Sequence, residues 1–104
     1  MERRKKFYKN GNLQWIQSYK NGIPHNEWRE FYENGNLKKK GTLKNGILHG
    51  EWKTYRENGS LILTKNYVEG KLHGEWKYFL ENGDLEEVKN YRNGKLILGE
   101  KMID

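Results

Sequence analysis

Apolar and polar residues alternate along this chain in segments of eight to ten residues, and Gly-containing dipeptides interrupt them at regular intervals. Asn-Gly falls at 10–11, 34–35, 58–59 and 82–83, a constant spacing of 24 residues. A second series has the same period: Asn21-Gly22, Asn45-Gly46, Glu69-Gly70 and Asn93-Gly94. The apolar positions obey it too. Leu13, Leu37, Leu61 and Leu85 are in register, as are Tyr19, Leu43, Tyr67 and Tyr91. Trp28, Trp52 and Trp76 form a third series, and Phe7, Phe31, Tyr55 and Phe79 a fourth. So many series on one period define an internal repeat. Its windows are approximately 7–30, 31–54, 55–78 and 79–102, within one domain spanning 1–104.

Between turns the segments are too short and too interrupted by Gly for helices, and they lack a 3.6-residue apolar period. Asn-Gly flanked by alternating residues signals a β-hairpin, because a type I′ turn needs positive φ at both central positions. Two strands per repeat follow, over residues 3–9, 12–20, 24–33, 36–44, 48–57, 60–68, 72–81, 84–92 and 95–102. The predicted fold is all-β: an elongated, twisted antiparallel meander of four 24-residue hairpin repeats in a single sheet. Each repeat should advance the array by ~10 Å.

Two-residue loops at both turn series set a trial register. Tyr19 then faces Pro24, Trp15 faces Trp28, Tyr32 faces Leu37, and Trp28 faces Gly41. One face collects the Trp28, Trp52 and Trp76 ladder, shielded by Leu13, Leu37, Leu61, Leu85, Tyr19, Tyr67 and Tyr91, with Trp15, Leu43, Leu48 and Leu72 beside them. Gly50 and Gly74 fall on the same face and would leave room for the indoles. Phe31, Tyr55 and Phe79 have the wrong parity, so either both faces carry aromatics or a bulge intervenes.

Composition sharpens this reading. Only 34% of the chain is hydrophobic and 33% is charged, with four Trp, seven Tyr and three Phe. A few large rings must therefore supply most of the buried area. The net charge of +6 is uneven. Residues 1–54 carry twelve Lys/Arg and five Asp/Glu, and residues 55–104 carry eight and nine. Arg3, Arg4, Lys5 and Lys6, together with Lys39, form a candidate patch for an acidic partner. There is no Cys, which removes disulfides and thiolate chemistry. No secretory leader or membrane-spanning run of apolar residues is seen, and the chain reads as soluble and cytoplasmic.

The unit Tyr55-x-x-Asn58-Gly59-x-Leu61, followed by Tyr67-x-x-Gly70-x-x-His73-Gly74-x-Trp76, resembles the MORN repeat in its bacterial variant. Leu48-His49-Gly50-Glu51-Trp52 and Leu72-His73-Gly74-Glu75-Trp76 match best. His25-Asn26-Glu27-Trp28 carries Asn where Gly is expected. Ile97-Leu98-Gly99-Glu100 lacks both His and Trp, as suits a terminal repeat. The resemblance implies a binding module for proteins or phospholipid surfaces. This variant is often labelled antitoxin-like, a partner that neutralises a toxin.

The residues themselves offer little catalytic chemistry. His25, His49 and His73 recur two strands apart, ~10 Å, whereas zinc needs ligand nitrogens at ~2.1 Å. They are expected to make structural hydrogen bonds within the hairpins. Glu27, Glu51 and Glu75 form another ladder rather than a converging pair, and Glu81, Asp84, Glu86 and Glu87 cluster around a turn. No nucleophile, phosphate-loop or cofactor motif is present. The expectation is no enzyme, no cofactor and no metal. Lys38–Lys40 beside Trp15 and Tyr32 is a candidate nucleic-acid patch, but the rings are better explained as the repeats' apolar face. Anionic lipid through Arg3–Lys6 is a stronger alternative, and homodimerisation through open sheet edges is another. The favoured partner is a protein, a toxin or nuclease effector, of bacterial or phage context. Gln17, Arg29, Lys38, Lys40, Arg56 and Tyr78 are the expected contact residues.

Overall fold

The computed structural model describes residues 1–97. Its elements are β1 Glu2–Phe7, β2 Leu13–Lys20, β3 Ile23–Phe31, β4 Leu37–Lys44 and β5 Ile47–Tyr55. They continue with β6 Leu61–Val68, β7 Lys71–Leu72, β8 Gly74–Phe79, β9 Leu85–Arg92 and β10 Lys95–Leu96. All belong to one antiparallel sheet in the order of the sequence, with β7 and β8 both pairing with β6. The predicted all-β meander is therefore the fold. Its seventh strand is divided at His73, and the predicted strand 95–102 lies partly outside the described residues, as does the end of the fourth repeat copy.

The molecule measures 52 × 35 × 14 Å. The short dimension is a single sheet with its side chains, since a second packed layer would add about 10 Å. Nothing covers either face among the described residues. Among the described residues, Trp52 at 8% exposure is the sole buried hydrophobic side chain.

The two turn series have different geometry. In the second, Asn21 and Gly22 have φ of 53° and 78°, Asn45 and Gly46 53° and 81°. Glu69-Gly70 and Asn93-Gly94 repeat the pattern. These are type I′ turns, as their sequence requires. The Asn-Gly series at 10–11, 34–35, 58–59 and 82–83 does not form them, contrary to the trial register. There Gly11 N donates to Tyr8 O at 3.0 Å and Tyr8 N donates to Asn12 O at 2.8 Å, and only Gly11 has positive φ. This is a three-residue loop, a type I turn closed by a left-handed Gly. The Asn side chain serves the loop differently: Asn10 Oδ1 accepts from Asn12 N at 2.9 Å.

Just beyond that loop a bulge places one extra residue on the return strand. Lys6 pairs with Trp15, but Phe7 pairs with Leu13, leaving Gln14 unpaired. Lys38, Ile62 and Glu86 are extra in the same way. Paired residues share a face, and a one-residue slip changes the face. The Leu ladder therefore leaves the Trp face. Leu13, Leu37, Leu61 and Leu85 pair with Phe7, Phe31, Tyr55 and Phe79, and Leu37 faces Phe31 rather than Tyr32. The bulge lies on the strand opposite Phe31, while β3 runs regularly from Trp28 to Phe31. Both faces thus carry aromatics.

A second irregularity follows each type I′ turn. Tyr19 pairs with Pro24, as expected, but Gln17 pairs with Trp28 and Trp15 with Glu30. The register has slipped by two, which overturns the expected Trp15–Trp28 pair. The slip needs a left-handed residue, supplied by Asn26 at φ 69°, Gly50 at 77° and Gly74 at 83°. Asn tolerates this region better than most residues, which accounts for Asn26 in place of Gly. Gly50 and Gly74 serve the backbone here, not the indoles.

Hydrogen bonds link successive repeats along both edges. Tyr8 Oη donates to Phe31 O and Tyr32 Oη to Tyr55 O, each at 2.6 Å. Asn12 Nδ2 reaches Glu33 O and Asn36 Nδ2 reaches Glu57 O, each at 2.7 Å. At the type I′ edge, Gly46, Gly70 and Gly94 N donate to Pro24, Leu48 and Leu72 O at 2.6–2.9 Å. Asn45 N donates to His25 Nδ1 at 3.1 Å and Asn93 N to His73 Nδ1 at 3.4 Å. Each of these two His bonds closes the open end of one hairpin built around an Asn-Gly loop, the structural role expected of them.

Candidate functional site

The register places Trp15, Trp28, Trp52 and Trp76 on one face, with Tyr19, Tyr67, Tyr78 and Tyr91. We refer to it as the indole face. Its middle row crosses the strands as Arg4, Gln17, Trp28, Gly41, then Trp52, Lys65, Trp76 and Lys89.

What stands beside each indole decides how deeply it sits. Trp52 lies directly on Gly41, where an added Cβ would come within 2.0 Å of Cδ2. Its Nε1–H donates to Thr42 O at 3.1 Å, and Tyr67 packs edge-on at 6.4 Å. The positions equivalent to Gly41 are Gln17, Lys65 and Lys89, all with side chains. Trp28 and Trp76 are accordingly half-buried. Trp28 stacks on Trp15 at 5.4 Å, and Trp76 on Tyr78 at 6.4 Å. The three periodic indoles share a face, as expected, but stack on other rings and not on each other.

Cations cap these rings. Arg4 lies 4.2 Å over Tyr19, Lys89 4.7 Å over Trp76, Lys38 5.4 Å over Tyr32, and Lys65 5.9 Å over Tyr67. Arg4, Lys38 and Lys89 also meet Glu2, Glu30 and Glu87 at 3.4, 3.7 and 3.7 Å. Among the described residues, no carboxylate pairs with Lys6, Lys39 or Lys65. A shallow cavity of about 110 Å³ lies over Trp52, lined by Lys39, Leu48, Thr54, Lys65 and Tyr67.

The opposite face offsets part of its charge, though Arg3, Lys5 and Lys40 there have no carboxylate partner among the described residues. Arg29, Lys40 and Lys53 are cross-strand neighbours, an unfavourable arrangement for like charges. Glu27 relieves it at 2.7 Å from Arg29, and Glu51 at 3.7 Å from Lys53. Lys77 and Glu75 continue the pattern at 3.4 Å. The Glu ladder thus neutralises cations. Among the described residues, no group of three His, Cys, Asp or Glu could hold a metal ion.

The expected contact residues are dispersed. Lys38, Lys39 and Tyr78 lie on the indole face, while Arg29 and Lys40 lie on the other. Gln17 is 3% exposed and is no surface residue. The slip beside Trp28 encloses it, and its Nε2 donates to Ser18 O at 2.7 Å and Glu27 O at 3.2 Å. Arg56 replaces the clamping Tyr of earlier repeats, with Nη2 donating to Phe79 O at 2.9 Å. Strand alternation divides Arg3–Lys6: Arg4 and Lys6 share the indole face, Arg3 and Lys5 the other. Sequence reading missed Gly41, Lys65 and Lys89. The available signal was Gly41 itself, which belongs to none of the 24-residue Gly series.

A family model described as the MORN repeat variant matches residues 3–21, 24–45, 48–69 and 72–93. Each matched segment is one hairpin around a three-residue loop. No curated protein and no solved structure gives a significant match.

Proposed function

We propose, from the premise that this chain belongs to the MORN repeat variant family, that it is a non-catalytic module binding an acidic protein through its indole face. The observation that carries the reading is the make-up of that face. Half-buried Trp and Tyr rings are topped by cations, and Lys6, Lys39 and Lys65 have no carboxylate of their own among the described residues. Trp, Tyr and Arg dominate interface energetics, and unpaired surface cations steer acidic partners. The opposite face also carries cations without a carboxylate, Arg3, Lys5 and Lys40, but no indole stands beside them.

In its finer form the reading is inhibitory. The partner is a toxin or effector enzyme, and this chain is the antitoxin or immunity protein that occupies it. Repeats favour such a role because residues between the ladders can differ from repeat to repeat at little cost to the fold. Affinity capture from host lysate should compare the native chain with Lys65→Glu on the indole face and Lys40→Glu on the other. One acidic protein retained by the native chain and Lys40→Glu but lost with Lys65→Glu supports the binding reading. Loss of that protein's activity at equimolar chain supports the inhibitory one. Flotation with anionic liposomes, abolished by salt and unaccompanied by a protein partner, would refute both in favour of a membrane-surface module.

A further inference from the structure

We infer that the cavity over Trp52 anchors a single Asp or Glu side chain of an extended partner segment, with apolar residues on both sides of it. The inference rests on the reading of the indole face as a protein contact surface.

The floor of the cavity is a buried, hydrogen-bonded indole. Trp52 is fixed by Gly41 beneath it and by its bond to Thr42 O. Tyr67 and Leu48 complete the apolar lining. Lys39 and Lys65 stand at the rim with Thr54. Lys39 pairs across strands with Thr54, and Lys65 with Trp52, so the two lysines lie diagonally about the cavity. Glu30 is the cross-strand neighbour of Lys39, but its carboxylate is engaged by Lys38 at 3.7 Å. Neither Lys39 nor Lys65 has a carboxylate partner among the described residues. An apolar floor with two unpaired ammonium groups suits an acidic side chain. Its methylenes cover the indole, and its oxygens accept charge-assisted hydrogen bonds.

The neighbouring repeats explain why one acid is expected and not a run. At Trp28, the positions of Lys39 and Lys65 are taken by Trp15 and Gly41. At Trp76 they are taken by Leu63 and Lys89, and Lys89 already meets Glu87 at 3.7 Å. The paired, unneutralised lysines occur at the central indole, with aromatic surface to either side. Successive indoles are two strands apart, ~10 Å, and a polyproline II segment rises ~3.1 Å per residue with about three residues per turn, so side chains three apart share a side. A segment crossing the strands in that conformation would place an aromatic or aliphatic residue about three positions before and after its acid.

The test is selection of random linear peptides displayed on phage against the full chain. The expected enrichment is one acidic residue with apolar residues about three positions away on each side. A synthetic peptide of that sequence should weaken about tenfold on replacing its acid by the amide. Lys39→Gln and Lys65→Gln should weaken it similarly, while Lys40→Gln on the opposite face should not, all with unchanged thermal unfolding. In nitrogen-15 correlation spectra the Trp52 indole N–H should shift on titration. Peptides that bind at Trp15 and Trp28, or whose binding ignores the acid, would overturn the anchor and leave the indole-face reading standing. Failure to enrich any peptide counts against the anchor. Binding confined to the opposite face, or displacement from the indole face by phosphatidylglycerol vesicles alone, would overturn both.

Discussion

Gly41→Ala adds one methyl group, and its effect follows from two opposing terms. Gly41 lies in a strand outside the positive-φ region, so Ala can adopt the backbone conformation and should gain about 0.5–1 kcal/mol over Gly. The new Cβ, however, would lie 2.0 Å from Trp52 Cδ2, 2.2 Å from Cε2 and 2.5 Å from Cγ. Carbon atoms in favourable contact are about 3.5–4.0 Å apart, so the indole has to lift by roughly 1.5–2 Å. Lifting breaks the 3.1 Å bond to Thr42 O, worth about 0.5–1.5 kcal/mol. It also returns part of a ring of about 150–250 Å² to water, at about 25 cal/mol per Å², a further ~2 kcal/mol. The net expectation is destabilisation by about 2–3 kcal/mol, approaching the ~3–5 kcal/mol of Trp52→Ala. Urea unfolding followed by circular dichroism would measure it, with the slope checked because repeat arrays can lose cooperativity. The decisive comparison is the double variant. With Trp52→Ala already present, Gly41→Ala should be neutral or stabilising. A neutral Gly41→Ala in the native background, or a penalty that survives removal of the indole, would refute the argument that Gly41 seats Trp52.

Gly74→Ala is the same chemical change with a different cause. Its Cβ would find open space, with Asn66 Cβ at 4.0 Å, but φ is +83°, so a loss of about 1–2 kcal/mol should persist in a Trp76→Ala background. Glu69 holds φ of 49° in a turn where the other three repeats have Asn, and Glu69→Asn should raise stability by about 0.5–1 kcal/mol in thermal unfolding. Tyr32→Phe removes the hydroxyl that reaches Tyr55 O at 2.6 Å, and urea unfolding should register a loss of about 1 kcal/mol. Gln17→Ala should cost about 1–3 kcal/mol by leaving the carbonyls of Ser18 and Glu27 without its amide; binding lost at unchanged stability would instead return Gln17 to the contact surface.

The 24-residue period made the meander and its turns legible, because turn chemistry and strand alternation are local properties. The faces were less so, for equally physical reasons. A parity count assumes that every residue on one strand has one partner on the next. Here each repeat breaks that rule twice. A bulge just beyond the three-residue loop adds Gln14, Lys38, Ile62 or Glu86, and the left-handed Asn26, Gly50 or Gly74 slips the register by two. The first break moves the Leu ladder to the other face. The second keeps the indoles in place but changes their partners. Both were signalled by residues already noticed, the Asn-Gly pairs and Gly50 with Gly74, whose Gly requirement has more than one structural cause.

The unequal burial of the indoles bears on how a single-layer sheet can both fold and bind. Stability in this array rests heavily on edges: loop-to-loop bonds from Tyr8, Tyr32 and Arg56 on one side, and turn-to-strand bonds on the other. The row between the edges is then free to differ. At one position of that row the chain has Gln17, Gly41, Lys65 and Lys89 in successive repeats. Gly lets the adjacent indole become floor. Lys keeps it raised and adds a charge, and Gln fills the space beneath with hydrogen-bonded amide. A substitution at this one position changes the relief and the charge of the face together while leaving the edge bonds intact. Within this chain, that makes the Gln17–Gly41–Lys65–Lys89 row the place where a repeat's contribution to binding can diverge from its contribution to folding.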